Sequence, residues 1–139
     1  YKIKNMTTLK RYSMSAHTIY NIGYHLIWCT KYRRKVLTGS VETRLKELMR
    51  EKGNELGIEI ISMETMPEHI HLFIKAKPIH SPHFIVQQLK GYSSKILRSE
   101  FYFLKSRIPT LWTRSYYCES VGHISVDTII KYIEDQKNK

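Results

Sequence analysis

Two groups of residues in this sequence have types and spacings that could do chemistry. The first is Met66-Pro67-Glu68-His69-Ile70-His71-Leu72-Phe73-Ile74, a turn running into a strand. Side chains of a strand alternate between faces. His69 and His71 therefore share one face, and Ile70 and Leu72 point to the other, where a core can take them. Two imidazoles side by side form half of a site for a divalent metal. The same pair can equally do no more than hydrogen-bond to neighbours or water. The second group lies near the end of the chain. Tyr132 and Gln136 are four apart and stack on one helical face. A phenolate is a nucleophile, and an amide oxygen is a donor that Mg²⁺ or Mn²⁺ accepts.

A metal held by two imidazoles and a carbonyl would polarise a phosphate oxygen and orient in-line attack on phosphorus. Tyrosine has a reference pKa of about 10, so attack at neutral pH needs help from the metal, a nearby lysine or a water acting as base. Lys131 adjoins Tyr132, but neighbouring residues on a helix point about 100° apart, so the two need not face each other. Taken singly, Tyr132 reads as a half-buried amphipathic residue and Gln136 as a solvated one.

The charge balance suits a phosphate substrate. Lys and Arg number 23 against 12 Asp and Glu, a net charge of +11, alongside ten tyrosines. Cationic surfaces attract phosphates, and aromatic faces stack on exposed bases. Lys31-Tyr32-Arg33-Arg34-Lys35 places four cations at a strand end, either as phosphate contacts or as a solvated basic loop. Lys90, Lys95 and Arg98 add cations on the surface of a helix. No basic helix with a strongly apolar face favours a membrane surface, and no apolar run approaches the roughly 20 residues of a membrane span. The polar, basic start lacks an export signal, so a cytoplasmic, nucleoid-associated protein is expected. Cys29 and Cys118 sit in apolar-aromatic runs and are expected to be small buried hydrophobes in a reducing compartment.

The elements that must position these residues follow from periodicity. Residues 1–18 show little pattern and read as a flexible basic arm, followed by a single domain over residues 19–139. Tyr20, Ile22, Tyr24, Leu26 and Trp28 alternate along one face of a first strand, with His25 on the other face beside Gly23 and Cys29. Val41, Leu45, Leu48, Met49 and Leu56 form the stripe of a helix capped by Ser40 and ended by Gly57. Ile58–Thr65 and His69–Lys75 are strands joined by a link short enough to require an antiparallel hairpin. Ser81 or Pro82 opens a second helix with Ile85, Leu89, Tyr92 and Ile96 inward and a potential bend at Gly91 and Ser93-Ser94. Phe101–Pro109 reads as a short helical end and basic loop, and Leu111–Val121 as a fourth strand. Gly122-His123 is a break before a last helix over about 125–138, capped by Ser125. The order β-α-β-β-α-β is the ferredoxin-like or RRM-like arrangement of an α+β protein: an antiparallel sheet with helices on one face, here with an added C-terminal helix.

The sequence resembles the single-tyrosine transposases of the smallest bacterial and archaeal insertion sequences, the IS two-hundred/six-hundred-and-five group of the histidine-hydrophobe-histidine (HUH) endonucleases. The resemblance runs from about Tyr20 to Gln136. It rests on residues 24–35 (YHLIWCTKYRRK), 66–72 (MPEHIHL), 89–94 (LKGYSS), on Leu111-Trp112 and Ser115-Tyr116-Tyr117, and on 132–136 (YIEDQ). It implies His69, His71 and Gln136 as ligands of Mg²⁺ or Mn²⁺. It implies Tyr132 as the nucleophile that leaves a 5′-phosphotyrosine and a free 3′-OH on single-stranded DNA. It also implies recognition of DNA hairpins near the element's ends, and a homodimer with sheets joined edge to edge. In such a dimer the tyrosine helix can complete the partner's site in trans. Two other functions fit the same residues in part. A ferredoxin-like sheet with exposed aromatics and basic loops is also a noncatalytic single-strand binding module, and a domesticated relative would cleave hairpins without moving an element.

Overall fold

The computed structural model describes residues 13–14, 18–121 and 134. Tyr132, Gln136, the Gly122-His123 break and the Ser125 cap lie outside the described residues, as does most of the expected N-terminal arm. Of the expected closing helix only Glu134 is described, and it is helical and exposed.

The described chain is an α+β ferredoxin-like unit. Its strands are β1 (Ser13–Met14), β2 (Ile19–Tyr20), β3 (Gly23–Cys29), β4 (Glu59–Met66), β5 (His69–Lys75) and β6 (Tyr117–Val121), and its α-helices are α1 (Gly39–Leu56), α2 (Pro82–Glu100) and α3 (Tyr102–Arg107). The main sheet has the order β4-β5-β3-β6, antiparallel throughout. β1 and β2 form a two-stranded ribbon, so the end of the expected arm is paired. No helix among the described residues is long and apolar enough to cross a membrane.

One sheet face carries both long helices. Leu26 and Trp28 of β3 and Ile70, Leu72 and Ile74 of β5 are buried against Val41, Leu45, Leu48 and Met49 of α1 and Ile85, Val86, Leu89 and Leu97 of α2. This is the alternation expected of β3, with Leu26 at 0% and Trp28 at 1% exposure. The odd-numbered residues of β3 and β5 are thereby turned to the opposite face, which among the described residues holds a small cluster of Phe73 with Ile61 and Val121. The phase of β4 is set by a register shift between Ile60 and Ser62. One extra residue inverts the face of everything after it. Ile60 therefore lies opposite Ile74 in the core layer, while Glu64 lies opposite His71 on the open face.

The helices end as their chemistry dictates. Ser81 caps α2, its hydroxyl accepting from the Phe84 amide at 3.0 Å with Pro82 in the first turn. Gly57 closes α1 in the left-handed region, at φ +73°. α1 starts after Thr38 rather than at a Ser40 cap, and Glu42 in its first turn accepts a hydrogen bond from Thr65 of β4. α2 is continuous through Gly91 and Ser93-Ser94. The Ser93 hydroxyl donates to Leu89 O at 2.7 Å and accepts from Trp112 Nε1 at 3.0 Å, so it is anchored rather than helix-breaking.

The fourth strand is shorter than expected. Only Tyr117–Val121 pairs with β3, and Leu111–Tyr116 is an irregular segment joined to Thr30 by a single bridge at Trp112. Trp112 turns inward, edge-on to Trp28 at 6.0 Å, which prevents the segment from running on as a flat strand. Cys29 is half-buried, but Cys118 is exposed, against the expectation for a buried hydrophobe; it lies on the edge strand β6, beyond the helices' cover among the described residues.

Candidate functional site

The site is built on β5, one of the two strands flanked on both sides within the sheet. His69 and His71 point to the open face, with ring centroids 4.7 Å apart. Register then brings further residues to the same face, because directly opposed residues of paired strands share a side. Cys29 lies opposite His69, Ile27 opposite His71 and His25 opposite Phe73. Glu119 lies opposite His25, and Tyr117 opposite Ile27. His25 is 5.9 Å from the His71 ring and 6.1 Å from the Tyr117 ring, and its Nδ1 is 3.9 Å from Glu119 Oε1.

The two histidines are held differently. His69 Nδ1 is 3.1 Å from Glu68 Oε1, so an Nδ1–H donated to that carboxylate leaves the Nε2 lone pair for a metal. The Glu68 carboxyl is held below its ordinary value. Burial opposes this, but its own backbone amide and His69, with a smaller push from Arg33, outweigh it. His71 is 6% exposed. Its pKa is lowered to about 4, first by burial, then by the neighbouring His69 and His25, with Glu64 pulling the other way. It is therefore neutral at physiological pH, the form that ligates a metal. Its Nδ1 is buried and finds no hydrogen-bond partner among the described residues. Such an atom costs roughly 1–3 kcal/mol unless something outside those residues meets it.

These residues fit a divalent metal, as half of its ligand set. Among the described residues no three His, Cys, Asp or Glu side chains are grouped to hold an ion, so a third ligand would have to come from elsewhere. Gln136 and Tyr132, assigned by resemblance as third ligand and nucleophile, lie outside the described residues.

The basic loop lies next to the turn before β5. Thr30 N donates to Glu68 O at 2.9 Å, and Leu37 N to Pro67 O at 2.9 Å, which pins residues 30–37 beside the turn that introduces His69. Arg33, Arg34 and Lys35 are exposed and Lys31 is half-buried. Tyr32 and Arg33 adopt left-handed backbone, φ +57° and +51°. On α2, Lys95 is exposed and Arg98 half-buried, its Nη1 donating to Pro109 O at 2.6 Å. Lys90 is different from the surface cation expected. It is 8% exposed, and its ammonium donates to Thr113 O, Arg114 O and Ser115 O at 2.8, 3.3 and 2.9 Å. It staples the irregular segment to α2 and has no proton left for a phosphate.

Comparison with known proteins bears on most of the chain. Residues 18–136 match the family model described as transposase, IS200 like. The chain is 39% identical over 123 residues to the ISDra2 transposase TnpA of Deinococcus radiodurans, covering 87% of this chain and 88% of that one. The chain belongs to the IS200-like transposase family. The transposase is also 31% identical over 123 residues to the IS200 transposase of Salmonella typhimurium, covering 87% and 80%. Its fold matches the crystal structure of a Deinococcus radiodurans protein described as a transposase, with TM-score 0.73 and 36% identity over 89% of this chain and 97% of that one. The fold is shared again, at TM-score 0.60 and 14% identity, by a REP-associated tyrosine transposase solved with a REP hairpin, over 90% and 74% of the two chains.

Glu64 and Glu119 carry no local mark in the sequence, and Tyr117 is marked only as part of the Ser115-Tyr116-Tyr117 run, not as a neighbour of His25. The signal was there only as parity: each lies opposite a residue of known face once the register is known.

Proposed function

We propose that this transposase cleaves and rejoins single-stranded DNA at the ends of an insertion sequence, with Tyr132 as nucleophile and His69, His71 and Gln136 holding Mg²⁺ or Mn²⁺. The Tyr132 phenolate oxygen attacks phosphorus as the bond to the 3′ oxygen breaks. The 3′ oxygen takes up a proton and leaves as 3′-OH, and the 5′ phosphate stays on the tyrosine. A different 3′-OH then attacks the phosphotyrosine, restoring the phosphodiester and the tyrosine without an external energy source. A metal held there supplies charge neutralisation at the non-bridging phosphate oxygens. Neutral His71 and carboxylate-oriented His69 keep their lone pairs available, and the exposed cations of residues 33–35 attract the DNA to the same end of the strand.

The observation that carries this is the imidazole pair at 4.7 Å on the open face of β5, in a chain of this family. DNA hairpins near the element's ends are the proposed partners, in keeping with the hairpin bound by the distant relative of the same fold. The proposed assembly is a homodimer joined at sheet edges, for which the exposed edge strand β6 is suited, with the tyrosine helix free to complete the partner's site. Residues 19–139 form the catalytic domain.

The test is incubation with a single-stranded hairpin oligonucleotide and Mg²⁺ or Mn²⁺, followed by a denaturing gel. A covalent adduct that disappears with EDTA and is severely reduced in His69→Ala and His71→Ala is expected. A metal-independent adduct overturns the mechanism. Tight binding with no adduct under either metal makes the protein a noncatalytic single-strand binder.

A further inference from the structure

The helix side of the molecule is divided by charge. Beside α1 lies a hollow of about 710 Å³ lined by Glu42, Glu47 and Glu100, where Arg44 donates to Glu47 at 3.0 Å and to Glu100 at 2.9 Å. Along the outer side of α2 the balance is reversed. Two hollows of about 520 and 420 Å³ meet at Gly91 and Ser94 and form one groove bordered by α3 and by residues 110–114. Lys95, Arg98, Lys105 and Arg114 line it, and among the described residues no carboxylate does. Lys95, Lys105 and Arg114 are exposed and have no acidic partner among the described residues.

Gly91 makes the floor. It sits in the middle of α2 without a positive φ, and an added Cβ would meet nothing within 4 Å. A glycine there weakens the helix relative to alanine, and neither its backbone geometry nor packing among the described residues requires it. What its missing side chain does is leave the groove open between the cations. The groove also leads toward the histidines. Thr113, at its upper end, donates its amide to Cys29 O at 3.1 Å, and Cys29 lies opposite His69. At about 4.8 Å per strand spacing, Thr113 is roughly 10 Å from the backbone of His69.

We propose that this groove is a track for the phosphodiester backbone of the DNA flanking the scissile phosphate. The proposal rests on the transposase function above and adds a surface to it. Its chemistry is that of a polyanion receptor: cations on both walls with no acidic partner among the described residues, a floor cleared by glycine, and one end about two strand spacings from the backbone of His69. A hairpin stem and an unpaired flank present the same phosphates, and two probes separate them.

The experiment measures binding of the full chain, in EDTA so that no cleavage occurs, to a hairpin oligonucleotide and to an unstructured oligothymidine, by fluorescence anisotropy across a range of NaCl. Loss of three phosphate contacts lowers the slope of log K against log salt by about 2.7 on duplex DNA or about 2.1 on single strands. Lys95→Ala/Lys105→Ala/Arg114→Ala is expected to show that drop, with affinity down on the order of ten- to a hundredfold at physiological salt. The probe affected identifies the DNA form on the track. Gly91→Glu should weaken binding of the same probe, while Gly91→Ala should keep it and raise the melting temperature. Lys46→Ala/Arg50→Ala/Lys77→Ala, which removes equal charge elsewhere, should change it far less. Wild-type binding with an unchanged slope in the groove triple variant overturns the track, as does an equal loss in the control triple. Failure of the wild type to bind either probe overturns the transposase function itself, and the track with it.

Discussion

Lys90→Met is the substitution whose effect the structure specifies most fully. The ammonium donates three hydrogen bonds to backbone carbonyls, two of them at 2.8 and 2.9 Å and one at 3.3 Å. Hydrogen bonds from a charged donor contribute about 1.5–3 kcal/mol each, so the two short ones contribute about 3–6 kcal/mol. Against this stands the burial of the charge. Desolvation pushes the Lys90 pKa from 10.5 down to about 8, with Cys29 opposing it slightly. That drop corresponds to about 3 kcal/mol, which methionine regains. The ammonium is still protonated at pH 7, and it has to be, because a neutral amine has only two N–H groups for three carbonyls. The net loss for Lys90→Met is centred on about 1.5 kcal/mol, or roughly 5–7 °C in melting temperature for a domain of this size. Thermal unfolding by circular dichroism measures it, and hydrogen exchange locates it, with faster exchange expected from Thr113 to Tyr117. A melting temperature within 2 °C of wild type, with unchanged exchange in that segment, refutes the staple.

Two further outcomes follow from the site and the caps. His71 is depressed to about 4 in the folded chain against an ordinary value near 6.5, so the unfolded chain binds more protons between those values. Its contribution to stability is therefore complete above about pH 6.5, is lost as pH falls through the window, and levels off below about pH 4, at most about 3 kcal/mol in all. Urea melts of wild type and His71→Phe at pH 7, 5 and 4 test this, and the variant should show the shallower pH dependence. Gly57→Ala should destabilise by about 1–2 kcal/mol, because φ is +73° and the new Cβ would stand 2.5 Å from the end of the Lys77 side chain; an unchanged urea midpoint contradicts it.

The parts of this molecule legible in its sequence are those governed by period and by local caps. Alternation placed Leu26 and Trp28 inward and His69 and His71 together on the other side. Ser81-Pro82 and Gly57 marked helix ends correctly, since a cap is a contact between residues a few positions apart. What escaped depended on partners distant in the chain. Lys90 reads as a surface cation on its helix, and only the folding back of residues 113–115 supplies the carbonyls that draw it in. The first half of the fourth strand is lost because Trp112 finds Trp28 and Ser93. Alternation puts His25 on the face opposite the core, but its approach to His71, Tyr117 and Glu119 depends on the β3–β5 and β3–β6 registers, and Glu64 reaches that face only through a register shift in β4 that no local signal announces. The serine pair in α2 suggested a bend until Ser93 proved to be anchored at both ends of its hydroxyl.

The central claim is that Tyr132 carries the DNA, and peptide mass spectrometry of the trapped adduct addresses it directly. Cleavage after Lys131 and Lys137 releases residues 132–137 (YIEDQK), in which Tyr132 is the only one of the chain's ten tyrosines. After nuclease digestion of the bound strand, that peptide should carry the added nucleotide 5′-phosphate mass, and it should be found unmodified when the metal is withheld. Attachment to any other tyrosine, or to none while the strand is still cut, contradicts the account.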